Sequence, residues 1–392
     1  MLTGLLILIL ASVGNAEWWV ILINHRHALR ITVTSAKKIR WLHDAALVFT
    51  PILFLIFAGL RTNGLLRGGT WSDLPVLLQL ILGFAIAGCL SLLWCMVQWQ
   101  LQAPCRKREV IKLCNFSAES DVRGSKPSPF LKVPGNQILK LEVNRKQITV
   151  PREGAAADVL RIAHFSDLHV FNCPGLSYFD KTFEELKELT PDVFIFTGDT
   201  LDCPDLLEKI LPFFKELLTV APGYFILGNH DALFDQEAIR AGIVSTGWTN
   251  AGGLVLETDI AGHSIVMAGS EAPWIGENPT PPADGNHGLR LLLSHTPDQR
   301  DYAVQGNYDL MLSGHNHGGQ IVLPFIGPVY SPSRFGVRYA GGLFQHGNLH
   351  MHVSRGVASK DPLRINCLPE ISLLEIQWAG NSQLDESRLR GT

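Results

Sequence analysis

Gly314-His315-Asn316-His317-Gly318-Gly319-Gln320 follows the short apolar run 310–312 and sets two histidines two residues apart on a glycine-bounded loop. Two imidazoles so placed can chelate a cation. Working outward, four more apolar runs end in polar residues of the same kind. The run 159–165 leads into Ser166-Asp167-Leu168-His169, 193–196 into Thr197-Gly198-Asp199, 224–227 into Gly228-Asn229-His230-Asp231, and 289–293 into Ser294-His295. Helical segments at 182–189, 206–218 and 236–243 separate the first of these runs. Strands alternating with helices at about 30-residue spacing predict βαβ units. A hairpin at 254–258 and 264–268, late strands at 349–353 and 371–376, and an alternating edge strand over 138–151 complete the α/β domain. Ligands of open α/β sheets collect at the carboxyl ends of the strands, so the five polar endings are expected in one crevice.

The donors in that crevice are Asp167, His169, Asp199, Asn229, His295, His315 and His317. All are hard oxygens or imidazoles and none is a thiol, which selects Mn²⁺, Fe or Zn²⁺ over a structural Cys₄ zinc site. Seven protein donors exceed what one such ion takes once water or phosphate is added, so two divalent ions are expected. Two cations side by side need a shared anion to offset their repulsion, and Asp199 on the middle strand is the natural bridge. Gly198 before it allows close approach, as Gly318 and Gly319 do in the last loop. Singly, each piece is ordinary: Asp167 reads as a helix cap, Gly198-Asp199 as a turn, Asn229-His230-Asp231 as a loop. The ordered set of five is not. His164, His263, His287, His346, His350 and His352 fall outside the set; His350 and His352 alternate on a strand and read as packed or solvent-facing, and Arg334, Arg338 and Arg355, though guanidinium pairs well with phosphate, read as surface arginines. No P-loop lysine motif is present, which disfavours nucleotide-driven phosphoryl transfer.

The remainder of the chain is of another kind. Its 392 residues hold 33 Lys+Arg and 36 Asp+Glu, a net charge of −3. That balance argues against a specific nucleic-acid binder. It hides a split, with net +4 over residues 1–102 and net −7 over 103–392. Three apolar stretches, 2–24, 41–60 and 75–98, are each near the ~20 residues needed to cross a bilayer. Trp18, Trp19, Trp41, Trp71, Trp94 and Trp99 gather near their ends, as interfacial aromatics do. Residues 1–102 are therefore expected to form about three transmembrane helices. Glu17 interrupts the first stretch. A signal peptide over 2–16 would lack a basic start, so a membrane helix with Glu17 near its end or inside the bundle is preferred. Arg26, Arg30, Lys37, Lys38 and Arg40 in loop 25–40, and Arg106, Lys107, Arg108 and Lys112 after the third stretch, place both on the cytoplasmic side. A multi-pass protein of the cell membrane with a cytoplasmic catalytic domain is expected. The seven cysteines include no C-x-x-C pair and give no disulfide framework. Residues 103–157 read as a linker with the edge strand, 158–378 as the catalytic domain and 379–392 as a polar C-terminal tail.

The order D-L-H, G-D, G-N-H-D, S-H, G-H-N-H-G-G-Q resembles the calcineurin-like metallophosphoesterase superfamily over roughly residues 158–378. It is most similar to the membrane-attached bacterial branch of YaeI/YkuE-like phosphoesterases, as are Val353-Ser354-Arg355-Gly356 and the N-C-L-P-E-I run at 366–371. Asn316 stands where many relatives have Thr. The resemblance implies a four-layer α/β/β/α sandwich with a dinuclear centre, most often of Mn²⁺. One metal would take Asp167, His169, Asp199 and His317. The second would share Asp199 and take Asn229, His295 and His315. His230 would face the phosphate as proton donor or charge stabiliser, with Asp231 orienting it. The expected activity is hydrolysis of a phosphoester or pyrophosphate bond by two-metal activation of water. A lipid-linked substrate of UDP-acyl-sugar or phospholipid type suits the membrane anchor. The alternatives are a phosphodiesterase on a soluble nucleotide, with helices only for localisation, and a non-catalytic metal-binding module.

Overall fold

In the computed structural model the first hundred residues form three helices, α1 (Leu2–His27), α2 (Val33–Phe54) and α3 (Val76–Leu101). The model describes residues 1–27, 33–101, 108–117, 128–150, 159–171, 173–282 and 288–378. Stretches Leu2–Arg26, Lys38–Leu60 and Val76–Leu101 are long and apolar enough to cross a membrane. Pro51, which has no N–H to give, lies inside α2, and the chain continues as a π-helical turn over Leu55–Leu60. Helices α1 and α3 approach so closely that a Cβ on Gly88 would lie 2.1 Å from the Gly14 carbonyl oxygen. Glu17 is buried inside this bundle, where the Ser91 hydroxyl donates to its carboxylate at 3.1 Å. Trp18 Nε1 donates to the Phe84 carbonyl at 2.9 Å. By contacts the chain divides into two units, Met1–Ala103 with Pro332–Arg338, and Pro104–Ser331 with Tyr339–Thr392.

The second unit is built on two sheets. Its strands in chain order are β1 (Arg108–Asn115), β2 (Lys140–Val150), β3 (Leu160–Phe165), β4 (Val193–Phe196), β5 (Gly223–Phe225), β6 (Thr249–Asn250), β7 (Val255–Ile260), β8 (His263–Ser270), β9 (Leu289–Ser294), β10 (Leu310–Ser313), β11 (Val322–Leu323), β12 (Gly327–Pro328), β13 (Gly342–His346), β14 (Leu349–Val353) and β15 (Glu370–Trp378). Its helices are α4 (Leu176–Glu188), α5 (Leu207–Leu217), α6 (Gln236–Ser245) and α7 (Arg300–Gln305). One sheet runs β1-β2-β15-β3-β4-β5-β6, the other β13-β14-β10-β9-β8-β7, and β11 and β12 form a separate hairpin.

Strands β3 to β6 are parallel, joined through α4, α5 and α6. Successive strand residues point to opposite faces, and here both faces are covered. Phe194 and Phe196 pack with Phe183, Ile210 and Phe214 of the helices. Val193 and Ile195 pack with Met267, Leu291 and Leu293 of the facing sheet. With α7 against β14, the layers are helix, sheet, sheet, helix. The expected four-layer sandwich is present.

Three local readings change. Strand β2 is not an edge, because β1 pairs antiparallel along it and β15 parallel on its other side. Strand β1 occupies part of the expected linker; its residues are exposed on both faces, so no alternation marks it in the sequence. Arg355 is not a surface arginine: its Nη2 donates to Glu142 Oε1 and Glu370 Oε2, each at 2.7 Å. The expected tail 379–392, His287, Arg30, Arg106 and Lys107 lie outside the described residues.

Toward the carboxyl end of β3 and β4 the apolar layer between the sheets gives way to a polar one. Lys146 Nζ donates to His352 Nε2 at 2.7 Å and to Ser372 Oγ at 2.9 Å, with Glu370 Oε2 at 3.3 Å. His352 Nδ1 meets His164 Nδ1 at 2.7 Å, and His164 Nε2 meets Thr197 Oγ1 at 2.9 Å. An ammonium only donates, so His352 Nε2 accepts and its Nδ1 carries the proton; His164 then accepts at Nδ1 and donates to Thr197. Burial lowers the Lys146 pKa to about 8.

Candidate metal centre

All seven expected donors converge at the strand ends. His169 Nε2 lies 3.2 Å from His317 Nε2, and His317 Nε2 lies 3.7 Å from Asp167 Oδ1. His295 Nε2 lies 3.0 Å from Asn229 Oδ1 and its ring centroid 5.0 Å from that of His315. Asp167, His169 and His317 thus form one cluster able to hold a cation, and Asp199, His295 and His315 another. Asp199 Oδ2 lies between the clusters, 3.4 Å from His169 Nε2 and 3.2 Å from His295 Nε2.

Tight backbone turns bring these residues together. Asp167, His169, Asp199, His315 and His317 all have positive φ, between 43° and 71°. L-residues rarely adopt that region, at a cost of about 1–3 kcal/mol each, and such turns persist where surrounding bonds hold them. The bonds are present. Asp167 N donates to Gly198 O at 2.9 Å, His169 N to Asp199 O at 3.1 Å, and His315 N to Asp167 Oδ1 at 3.1 Å. Gly198 has φ +94°, and a Cβ there would lie 2.5 Å from Gly228 N, so strands β4 and β5 can end side by side only with glycine here.

The donor set fits divalent metal. Asp199 Oδ1 accepts from His230 N at 2.8 Å, whereas buried Oδ2 receives no well-aligned hydrogen bond among the described residues and has only the His169 and His295 imidazoles at ion-pair distance. A buried carboxylate oxygen left without a good donor is costly, and a cation held between the two imidazoles would satisfy it. The electrostatics of the donor set point the same way. Burial opposes charge on His169, yet Asp202 and Asp199 overcome it and raise its pKa to about 9. His295, likewise buried, is raised to about 9 by Asp199. The same carboxylates would attract a divalent cation, whose binding releases protons from such imidazoles.

One assigned role changes, and three residues were missed. Asp231 does not stand behind His230. Its carboxylate accepts from the backbone N–H groups of Gly228 at 2.9 Å, Asp199 at 3.0 Å and Thr200 at 2.9 Å, tying the β4 and β5 loops together. Burial, then the charge of Asp199, pushes its pKa up to about 6. The carboxylate behind His230 is Asp202, whose Oδ1 lies 2.5 Å from His230 Nδ1 and whose Oδ2 lies 2.9 Å from His169 Nδ1. The turn after Asp199 carries Asp202 back to the site; a second carboxylate three residues after the bridging one was the signal available in sequence. Ser166, which donates to Asp167 Oδ2, was also missed, as was Arg364, which donates to the His317 carbonyl at 2.8 Å. Trp274 packs over His315 and His295 with ring centroids 4.9 and 5.8 Å away.

Residues 160–319 match the family described as calcineurin-like phosphoesterase. Phosphodiesterase YaeI of Escherichia coli (strain K12) is 31% identical over 246 residues, covering 60% of this chain and 88% of its own. The uncharacterized metallophosphoesterase YkuE of Bacillus subtilis (strain 168) is 30% identical over 232 residues, 56% of this chain and 80% of its own. UDP-2,3-diacylglucosamine pyrophosphatase LpxG of Chlamydia trachomatis serovar D is 24% identical over 301 residues, 60% of this chain and 88% of its own.

Proposed function

The chain belongs to the calcineurin-like phosphoesterase family, metal-dependent phosphoester hydrolases, and from that premise we propose that it hydrolyses a lipid-linked phosphoester or pyrophosphate at the cytoplasmic face of a membrane that its three helices cross. The observation that carries the dinuclear reading is the position of buried Asp199 Oδ2, within 3.4 Å of an imidazole from each cluster. Asp167, His169, Asp199 and His317 would hold one ion, and Asp199, Asn229, His295 and His315 the other. Two divalent cations held there, Mn²⁺ before Fe or Zn²⁺, would supply a water of lowered pKa and neutralise phosphoryl charge.

The chain's own residues do the rest. Asp202 accepts from His230 Nδ1, so the doubly protonated ring would present an Nε2–H that can pass its proton to the leaving oxygen, returning the ring to neutral, or stabilise charge on the phosphoryl group. Asp231 keeps the two loops in register through three backbone bonds. Support for a lipid-linked substrate comes from the three apolar helices and from the acylated sugar nucleotide in the name of one relative.

The test is a side-by-side assay of the purified full chain with Mn²⁺ on a chromogenic diester, a monoester and a UDP-linked acylated sugar. Hydrolysis of the acylated substrate in preference to the others is expected. Turnover of the diester or monoester with none of the acylated substrate would overturn the lipid-linked reading and favour a soluble one.

A further inference from the structure

Between His317 and Arg334 the chain carries no charged side chain. The first part of this stretch folds as the β11–β12 hairpin, with Val322 opposite Pro328 and Leu323 opposite Gly327. Its base is held firmly. Val322 N donates to Ile365 O at 2.9 Å, Asn366 Nδ2 donates to Val322 O at 3.0 Å, and a Cβ on Gly319 would lie 2.6 Å from Pro328. The hairpin is therefore seated on the loop that carries His315 and His317. Its tip is the reverse: Phe325 is 88% exposed, the most exposed large apolar side chain among the described residues of the catalytic unit, with Leu323 and Val329 exposed beside it.

A rigid base with an uncharged, aromatic tip is poorly suited to water and well suited to the interfacial region of a bilayer, where Phe and Leu gain from partial burial among acyl chains. The covalent chain favours lipid over a protein partner. Three residues after Val329 begins Pro332–Arg338, which, among the described residues beyond 103, alone groups with the three apolar helices. The hairpin thus lies in the chain between a metal-ligand loop and a segment of the membrane unit.

We propose that the β11–β12 hairpin dips its tip, residues 324–326, into the acyl region of the bilayer and so presents a lipid phosphate to the adjoining ligand loop. This rests on the lipid-linked reading above and names the element through which the site meets its substrate. The hairpin makes no bond in the reaction; it sets which phosphoesters reach the site.

The experiment places a photo-reactive benzoylphenylalanine at position 325 of the full-length protein, in nanodiscs of phosphatidylethanolamine and phosphatidylglycerol. After irradiation, the peptide holding residue 325 is expected to carry a phospholipid mass, and the same substitution at exposed Val244 of α6 to carry none. Absence of the adduct at 325, or equal adduct at both positions, overturns the proposal. In a second arm, Phe325→Ser is expected to leave hydrolysis of a soluble chromogenic diester unchanged and to slow that of a vesicle-embedded phosphoester about tenfold; equal rates on the embedded substrate overturn it. The crosslink does not depend on catalysis. A lipid adduct without hydrolysis of any embedded phosphoester would sink the substrate reading alone, and hydrolysis without the adduct would sink the hairpin alone.

Discussion

His230 and Asp202 are paired through a 2.5 Å contact from Nδ1 to Oδ1, and the same carboxylate reaches His169 Nδ1 at 2.9 Å with its other oxygen. One side chain thereby orients a proposed proton donor and a proposed metal ligand. Asp202→Asn leaves an amide that cannot accept at both positions. Activity is expected to fall about 10–100-fold, the usual effect of losing the partner behind a metal-bound histidine. Kinetics at saturating metal check this, and unchanged kcat would remove Asp202 from the site.

His230→Ala separates the two roles. Turnover is expected to slow by about 10²–10⁴ with both ions still bound, as for loss of a general acid. Elemental analysis decides: a variant purified without metal would make His230 a ligand.

Asp199→Ala removes the carboxylate shared by both clusters. Loss of activity and of about two ions per chain is expected. One ion still held tightly after dialysis would count against the bridge.

Lys146 gives a pH-dependent stability. Burial lowers its pKa to about 8 from an ordinary 10.5. Between those values the unfolded chain binds more protons than the folded one, so stability rises with pH across the window, and the full penalty remains below pH 8. Denaturant unfolding of wild type and Lys146→Met in detergent, at pH 7.5 and pH 10, should show the wild type gaining about 2 kcal/mol relative to the variant. A difference independent of pH would mean that the ammonium is as well accommodated in the core as in water.

Topology decides which substrates the site can meet. The basic residues expected in loop 25–40, of which Arg26 falls in α1 and Lys37, Lys38 and Arg40 in α2, and those following residue 102 both call for the cytoplasm, and three spans would satisfy both. A reporter fused after residue 392 should fluoresce in the cytoplasm. Periplasmic-type phosphatase activity from that fusion, without fluorescence, would reverse the assignment.

The candidate metal cluster was legible because each donor follows an apolar run, and side chains at the ends of parallel strands must share one edge of a sheet. The three apolar helices were legible because length and hydropathy alone decide whether a segment can span a bilayer. Strand β1 was not legible: exposed on both faces, it lacks the alternation that burial imposes. Nor was the division of labour between Asp202 and Asp231. Both are aspartates in loops after buried strands, and their roles depend on which way positive-φ turns aim them. Asp231 is turned onto the N–H groups of Gly228, Asp199 and Thr200, and Asp202 onto two imidazoles. Residue types and their order determined which chemistry this chain carries. The tertiary structure alone decided which oxygen meets which nitrogen, because a difference of a few ångströms in a turn is not encoded in any local pattern.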